Sequence, residues 1–199
     1  MRLILEETEE LSGLEEVIAR RKSRRAFKRT KLTKKQLSRL IWSAGKAPSA
    51  GATYPLKLYV VIGAECVEGI DAGVYQCVSG YSQLERYKGY DLREELAIAC
   101  LCQSFITDAP VSFVIAAEYE RTTRVYGDRG IRYVHIEVGH VGQNIYLQCE
   151  ALGLATVAIG AFYDDAVAKV LSLPDELKPI YIMPVGVEQR ADDSKVSIC

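Results

Sequence analysis

Residues 128–160 read DRGIRYVHIEVGHVGQNIYLQCEALGLATVAIG, and the arrangement of the remaining chain follows from them. Ile131, Val134, Val138, Val141, Ile145 and Leu152 recur at intervals built from threes and fours, the spacing of one helical face. Asp128 stands where a side-chain cap could start the helix, and Gly153 where a left-handed residue could close it. The reading is a helix of roughly 24 residues, about 36 Å long. So long a helix in a chain of this size belongs at its centre, and Gly139 and Gly142 on its seam would admit a second backbone at close range. Beyond Gly153 the period changes. Leu154, Thr156, Val157 and Ile159 make a largely β-branched run ending at Gly160, so the helix hands over to a buried strand whose end is the expected ligand position.

With 49% apolar and 26% charged residues in 199, the composition supports one domain burying roughly 70% of its unfolded surface. We expect a core over residues 14–188 and a polar tail over 189–199. A net charge of -1 argues against a surface devoted to nucleic acid or an anionic membrane. The charge is unevenly placed, however: residues 1–19 carry six glutamates against Arg2 alone, whereas residues 20–35 carry ten Lys or Arg and no acid. The opening run MRLILEETEE does not read as an export signal, and no apolar run approaches the ~18 residues of a membrane span, so a cytoplasmic protein is expected. Six cysteines (66, 77, 100, 102, 149 and 199) follow no zinc spacing and read as free thiols. His135 and His140, five apart on the long helix, point about 140° away from each other and cannot chelate one metal from it, so no metal site is expected.

Elsewhere the pattern predicts helices over 12–22, over 33–47 with Thr33 as cap, over 91–105, and over 164–171 with Asp164 as cap. Strands are predicted over 58–62, 73–78, 111–118 and 180–187, while the tyrosine-rich residues 79–90 read as irregular. Helices first, then strands and helices in irregular alternation, suggest an α+β sandwich rather than a doubly wound sheet.

The chain has no dinucleotide fingerprint, Walker loop, nucleophile elbow or zinc-protease motif. Two features could hold a ligand. Arg21, Lys22 and Arg25 surround Ser23, a set of forked donors, an ammonium and a hydroxyl suited to a phosphate monoester. The loop PSAGATYPL (48–56) and the stretch Ala158-Ile159-Gly160-Ala161 lack bulk, so a flat ring could lie against their backbone. Taken alone, the basic block reads as a solvated helix end or nucleic-acid patch before it reads as a phosphate site.

RKSRRAF (21–27), PSAGATYPL, the Ala109-Pro110 step and GHVGQNIYLQCEALGLATVAIGAF (139–162) leading to PVG (184–186) together resemble the nitroreductase-like flavoprotein superfamily. The loop and YGDRGIRYVHIEVGH (126–140) are most similar to its branch of azoline (thiazoline/oxazoline) dehydrogenases. The resemblance implies a nitroreductase-like α+β sandwich, with a mostly antiparallel central sheet flanked by helices, in an intertwined homodimer around the long helix. It implies FMN, with Arg21, Lys22, Ser23 and Arg25 on the phosphate and pyrimidine edge, and Pro48, Ser49, Ala50, Gly51 and Tyr54 along the ring. Ala158, Ile159, Gly160 and Ala161 would face flavin N5, and Arg190 would be the late cation to the phosphate. Family members often place Asn and Gln in the loop, where this chain has Ala52 and Tyr54, and an acid where it has Gly160.

The activity implied is hydride transfer from NAD(P)H, a transient visitor, through flavin to a small electron-poor acceptor such as a nitroaromatic or quinone. One alternative, of a different class, is a non-enzymatic nucleic-acid-binding protein using the basic block over 20–35; another is oxidation of an azoline-like or other small substrate. In that branch a Lys-Tyr pair precedes the G-x-R-G run, and here it reads Val125-Tyr126. Tyr126 is the candidate catalytic residue, but valine accepts no proton and an unperturbed tyrosine is a poor base at neutral pH. Small-molecule substrates and a second copy of the chain are the expected partners, with neither nucleic acid nor membrane.

Overall fold

A computed structural model describes residues 11–189. In chain order the elements are α1 (Gly13–Arg20), β1 (Phe27–Lys28), α2 (Lys34–Ala44), a 3-10 turn (Ala50–Ala52), β2 (Leu56–Ile62), β3 (Gly73–Val78) and β4 (Gln83–Lys88). There follow α3 (Arg93–Ala99), α4 (Phe105–Asp108), β5 (Val111–Glu118), α5 (Glu120–Tyr126), α6 (Arg129–Ala151), β6 (Ala155–Thr156), α7 (Asp164–Leu171) and β7 (Leu177–Glu188). The strands form one sheet in the order β1-β7-β5-β2-β3-β4, with β6 pairing β7, and every pairing is antiparallel.

Alternation along the central strands divides the core into two layers. Leu58, Val60 and Ile62 of β2 and Phe113 and Ile115 of β5 face α2 and α6, in contact with Leu37, Leu40, Val134, Val138 and Ile145. Their neighbours Tyr59, Val61, Val114 and Ala116 face α3 and α7, against Leu96, Val167 and Leu171. Because helices cover both faces, these strands read as continuous apolar runs. Each buried Leu, Ile or Phe contributes about 1.5–3 kcal/mol.

The long helix is present at 23 residues and ends before Gly153, which takes φ +67°. Its beginning differs from expectation. Asp128 is itself helical and makes no side-chain cap, because α5 runs up to it and Gly127 (φ +56°) makes the corner. The buried stripe is Val134, Glu137, Val138, Val141, Gly142, Ile145 and Cys149, whereas Ile131 is exposed and Leu152 only half-buried. Gly142 serves the chain's own packing, since a Cβ there would sit 3.5 Å from the Tyr181 ring, while Gly139 has nothing within 4 Å.

Residues 79–90 are not irregular throughout. They contain β4, an edge strand held by Tyr87 stacking edge-on against Tyr59 at 5.7 Å and by Tyr87 Oη and Lys88 Nζ donating to the carbonyls of Ser172 and Val170. The expected helix over 91–105 breaks after Ala99, where Leu101 and Cys102 both take left-handed φ. The expected strand after Gly153 shrinks to Ala155–Thr156 plus one bridge from Ile159 to Ile182. Thr33 caps α2 as predicted, with its side chain accepting from the Gln36 amide, whereas α7 is capped at Tyr163 and Asp164 falls in its first turn. No helix among the described residues is long and apolar enough to cross a membrane, and no metal-binding cluster is present among them. Cysteines 66, 77, 100, 102 and 149 are free thiols.

Candidate active site

The C-terminal half of α6 carries the basic block. The Tyr146 hydroxyl accepts a hydrogen bond from the Ala158 amide at 2.7 Å and shares another with Ser23 Oγ at 2.8 Å. The Arg21 guanidinium lies 5.3 Å from the centre of the same ring, within cation–π range. One turn on, Glu150 forms an ion pair with Arg24, which also reaches Glu188 at 3.1 Å, while the Arg24 amide donates to the Thr156 carbonyl. Arg24 is therefore the structural cation of the block. Its charge is taken up beneath the loop, leaving Arg21, Lys22 and Arg25 with no ion pair to the described residues. Neither Tyr146 nor the anchoring role of Arg24 and Glu150 was evident from sequence. The available signal was their i, i+4 spacing on the helix, which puts Tyr146 and Glu150 on one face.

Small-residue backbone completes this half. Ala158 is committed to Tyr146 and Ile159 to Ile182, but the exposed Gly160 amide has no acceptor among the described residues. Gln103 donates to the Ala161 carbonyl, which steadies the segment from the other side.

The N-terminal half of α6 carries the 48–56 loop. Ser49 Oγ donates to Glu137 at 2.6 Å and accepts from the Tyr54 amide at 2.9 Å. Burial raises the Glu137 carboxyl above the ordinary carboxylate range, and the Ser49 hydrogen bond partly opposes it. The Thr53 and Thr122 hydroxyls bond at 2.8 Å, and Arg121 donates to the Thr53 carbonyl, tying the loop to α5. Gly51 (φ +57°) lies under the Tyr126 ring, so a Cβ there would come within 2.4 Å of Tyr126 Oη. Tyr126 in turn packs edge-on against Tyr133 at 5.0 Å. Pro48, Gly51 and Tyr54 are exposed, and Ser49 and Ala50 partly so. The loop and Tyr126 thus come together, as do the basic block and Ala158; Arg190 lies outside the described residues.

Within one chain the two groups do not meet. Glu137 and Tyr146 are nine residues apart, hence about 13 Å along the axis and about 180° around it. They mark the two flanks of the buried stripe of α6. One flank carries a small-residue loop with a tyrosine; the other carries Arg21, Lys22 and Arg25, without an ion pair among the described residues, and the Gly160 amide.

A family model described as "Nitroreductase family" matches residues 18–187, nearly the whole described span. The chain belongs to the nitroreductase family. It is an oxidoreductase of that family, with the antiparallel α+β fold. A protein of Methanocaldococcus jannaschii, provisionally named a nitroreductase, is 44% identical over 195 residues, covering 94% of this chain and 96% of its own. Among solved structures, a provisionally assigned nitroreductase of Anabaena variabilis superposes with TM-score 0.79 at 27% identity over 88% of this chain, which spans only 38% of that longer protein. The NADPH:FMN oxidoreductase of Vibrio harveyi gives 0.69 at 20% identity, covering 90% of this nitroreductase-family chain and 70% of its own. The E. coli microcin synthetase complex McbBCD gives 0.73 at 20% identity, with coverages of 95% and 77%. These last two likenesses are of fold.

Proposed function

We propose that this nitroreductase-family protein binds FMN between two copies of itself and reduces a small electron-poor acceptor, of the nitroaromatic or quinone type, at the expense of NAD(P)H. The observation that carries this reading is the Tyr146 hydroxyl, which draws Ser23 and Ala158 together and so sets cations with no ion pair among the described residues beside the Gly160 amide. The donor set fits the cofactor. Arg21, Lys22, Ser23 and Arg25 offer charge-assisted donors to a phosphate and to the electron-rich edge of a flavin, and the Gly160 amide can donate to its ring. The named activity of the Vibrio harveyi structure supports the same cofactor and donor. When bound, FMN supplies the hydride chemistry; the protein supplies charge, orientation and exclusion of water.

The separation of the two half-sites supports a homodimer. A loop on one flank of α6 and a basic block on the other can line one flat ring only if the second half comes from a partner. The outer face of α6 suits that contact: Ile136 is 48% exposed and Gly139 is open to close approach. Reduction of an acceptor is favoured over azoline oxidation by the pair at 125–126. Val125 is 62% exposed and cannot take a proton, and Tyr126 is occupied in covering Gly51. Reduction of a nitro group or quinone can draw its protons from water.

Purified protein should show the flavin absorption spectrum, sediment as a dimer, and oxidise NADPH or NADH when a quinone or nitrofuran is added. Arg21→Ala and Arg25→Ala should each weaken FMN retention roughly ten- to hundred-fold, the loss of one charge-assisted contact. A colourless protein that takes up no added FMN would remove the reading. A yellow monomer would remove the shared site.

A further inference from the structure

A second concavity lies on the side of α2 that faces the β3–β4 hairpin. It has a volume of about 820 Å³, within the range of small-molecule sites. Leu37 and Ile41 of α2, with Tyr75 and Leu84 of the hairpin, form an apolar floor, and Trp42 and Tyr81 stand along its walls. The shape depends on two unusual local choices. Ser79, Gly80 and Tyr81 take left-handed φ in succession (51°, 65° and 68°), a conformation non-glycine residues rarely adopt. That turn brings the Tyr81 ring onto Gly45, where a Cβ would lie 2.9 Å from it. Any larger residue at position 45 would displace the ring.

The charge of the concavity is one-sided. Its lining includes Lys34 and Lys46 but no acidic residue, and α2 itself contains no acid. Neither lysine forms an ion pair with the described residues; Lys46 Nζ instead hovers 5.6 Å from the centre of the Trp42 ring. Trp42, Tyr81 and Lys46 all line the groove, so an aromatic ring and an anionic substituent would each meet a partner in it.

We propose that this groove is a binding site for a flat aromatic carboxylate, held by stacking between Trp42 and Tyr81 and by charge pairing with Lys46. None of the residues assigned above to the FMN site lines it, so it would be a separate site. Gly45 and Lys46 lead directly into the 48–56 loop, which puts the groove next to that site in sequence.

Trp42 is the only tryptophan in the chain; it and Lys46 also border a concavity against α1 and α6 that Ser38 does not line, so a variant at Ser38 assigns the emission response to the groove. The test titrates the protein as purified with naphthalene-2-carboxylate, with naphthalene-2-carboxamide and with cyclohexanecarboxylate, following heat and Trp42 emission together. The expected result is saturable binding of the aromatic acid with a Trp42 response, at least tenfold tighter than the neutral amide or the non-aromatic acid. Lys46→Glu should weaken it tenfold or more, and Ser38→Phe, which fills the groove from its exposed rim, should abolish it; both variants should keep the wild-type circular dichroism. Equal affinity for acid and amide, heat without a Trp42 response, no binding, or wild-type affinity in folded Lys46→Glu would each overturn the proposal. Flavin absorbance recorded on the same samples separates this outcome from that of the FMN reading: yellow protein without groove binding counts against the groove alone.

Discussion

Replacing Tyr146 by Phe removes one oxygen atom and two hydrogen bonds. The Ala158 amide, part-buried and bonded at 2.7 Å, has no second acceptor among the described residues, so leaving it unpaired should cost about 1–3 kcal/mol. Ser23 is exposed and can turn to water, adding little more than ~0.5 kcal/mol. The aromatic ring remains beneath Arg21, so the cation–π contact survives. The sum is about 2 kcal/mol, and at about 2–4 °C per kcal/mol for a domain of this size the melting temperature should fall by about 4–8 °C. Because the same oxygen holds the basic block against the Gly160 segment, FMN affinity should fall roughly tenfold, equivalent to about 1.4 kcal/mol. Thermal melts followed by circular dichroism, and flavin fluorescence quenching on titration, measure the two effects separately. A melting temperature within a degree of wild type together with unchanged flavin affinity would refute the claim that Tyr146 assembles this half of the site. Tyr146→Leu should be worse than Tyr146→Phe on affinity, since it also loses the face under Arg21.

Gly51→Ala should lower stability, by about 1–2 kcal/mol from the left-handed φ and further from the clash with Tyr126 Oη. Tyr126→Phe should recover only the clash, so a double-mutant cycle should be non-additive, and additivity would show that the two do not touch. Glu137→Gln keeps an acceptor for Ser49 but cannot ionise. The folded pKa of Glu137 is raised by burial, so its ionised form opposes folding; the variant should be more stable than wild type at neutral pH, and the gap should close as pH falls below the unfolded carboxylate value. Urea titrations across that range would show the opposite trend if Glu137 were held as a favourable anion. Arg93 donates to Asp91 and to the carbonyls of Thr107 and Ala109 beneath Gly63, so Arg93→Ala should cost about 1.5–3 kcal/mol in denaturant unfolding. Burial opposes ionisation of Asp91, yet hydrogen bonds from Arg93 and the Ala64 amide hold its pKa below the ordinary 3.8. Its contribution should be present above that value and disappear as pH drops through the lower folded one, and Asp91→Asn should flatten this part of an acid-unfolding curve.

Much of the architecture was legible in local patterns. Val134, Val138, Val141 and Ile145 share a face for any helix of 3.6 residues per turn, and the run Val111–Glu118 is too apolar and too β-branched for anything but a strand covered on both sides. Thr33 followed by Gln36 specifies a helix start wherever it occurs. Such features depend on neighbours in sequence, so the sequence alone determined them. The start of α6 was misread because a capping residue and a mid-helix corner look alike until the preceding α5 is seen to run into it. β4 was missed because an exposed edge strand needs no apolar alternation, and its anchors on Tyr59 and α7 lie far off in the chain. The candidate site shows the same division. Five cations in residues 20–25 are chemically near-equivalent as letters, and only the approach of Glu150 and Glu188, more than 120 residues away, makes Arg24 a structural ion, while Arg21, Lys22 and Arg25 have no ion pair among the described residues. Only the rotation of α6 sets Glu137 and Tyr146 on opposite flanks. A long-range pairing is specified by the whole packed arrangement, because burial and partner geometry, not residue type, decide which charges are spent on the fold.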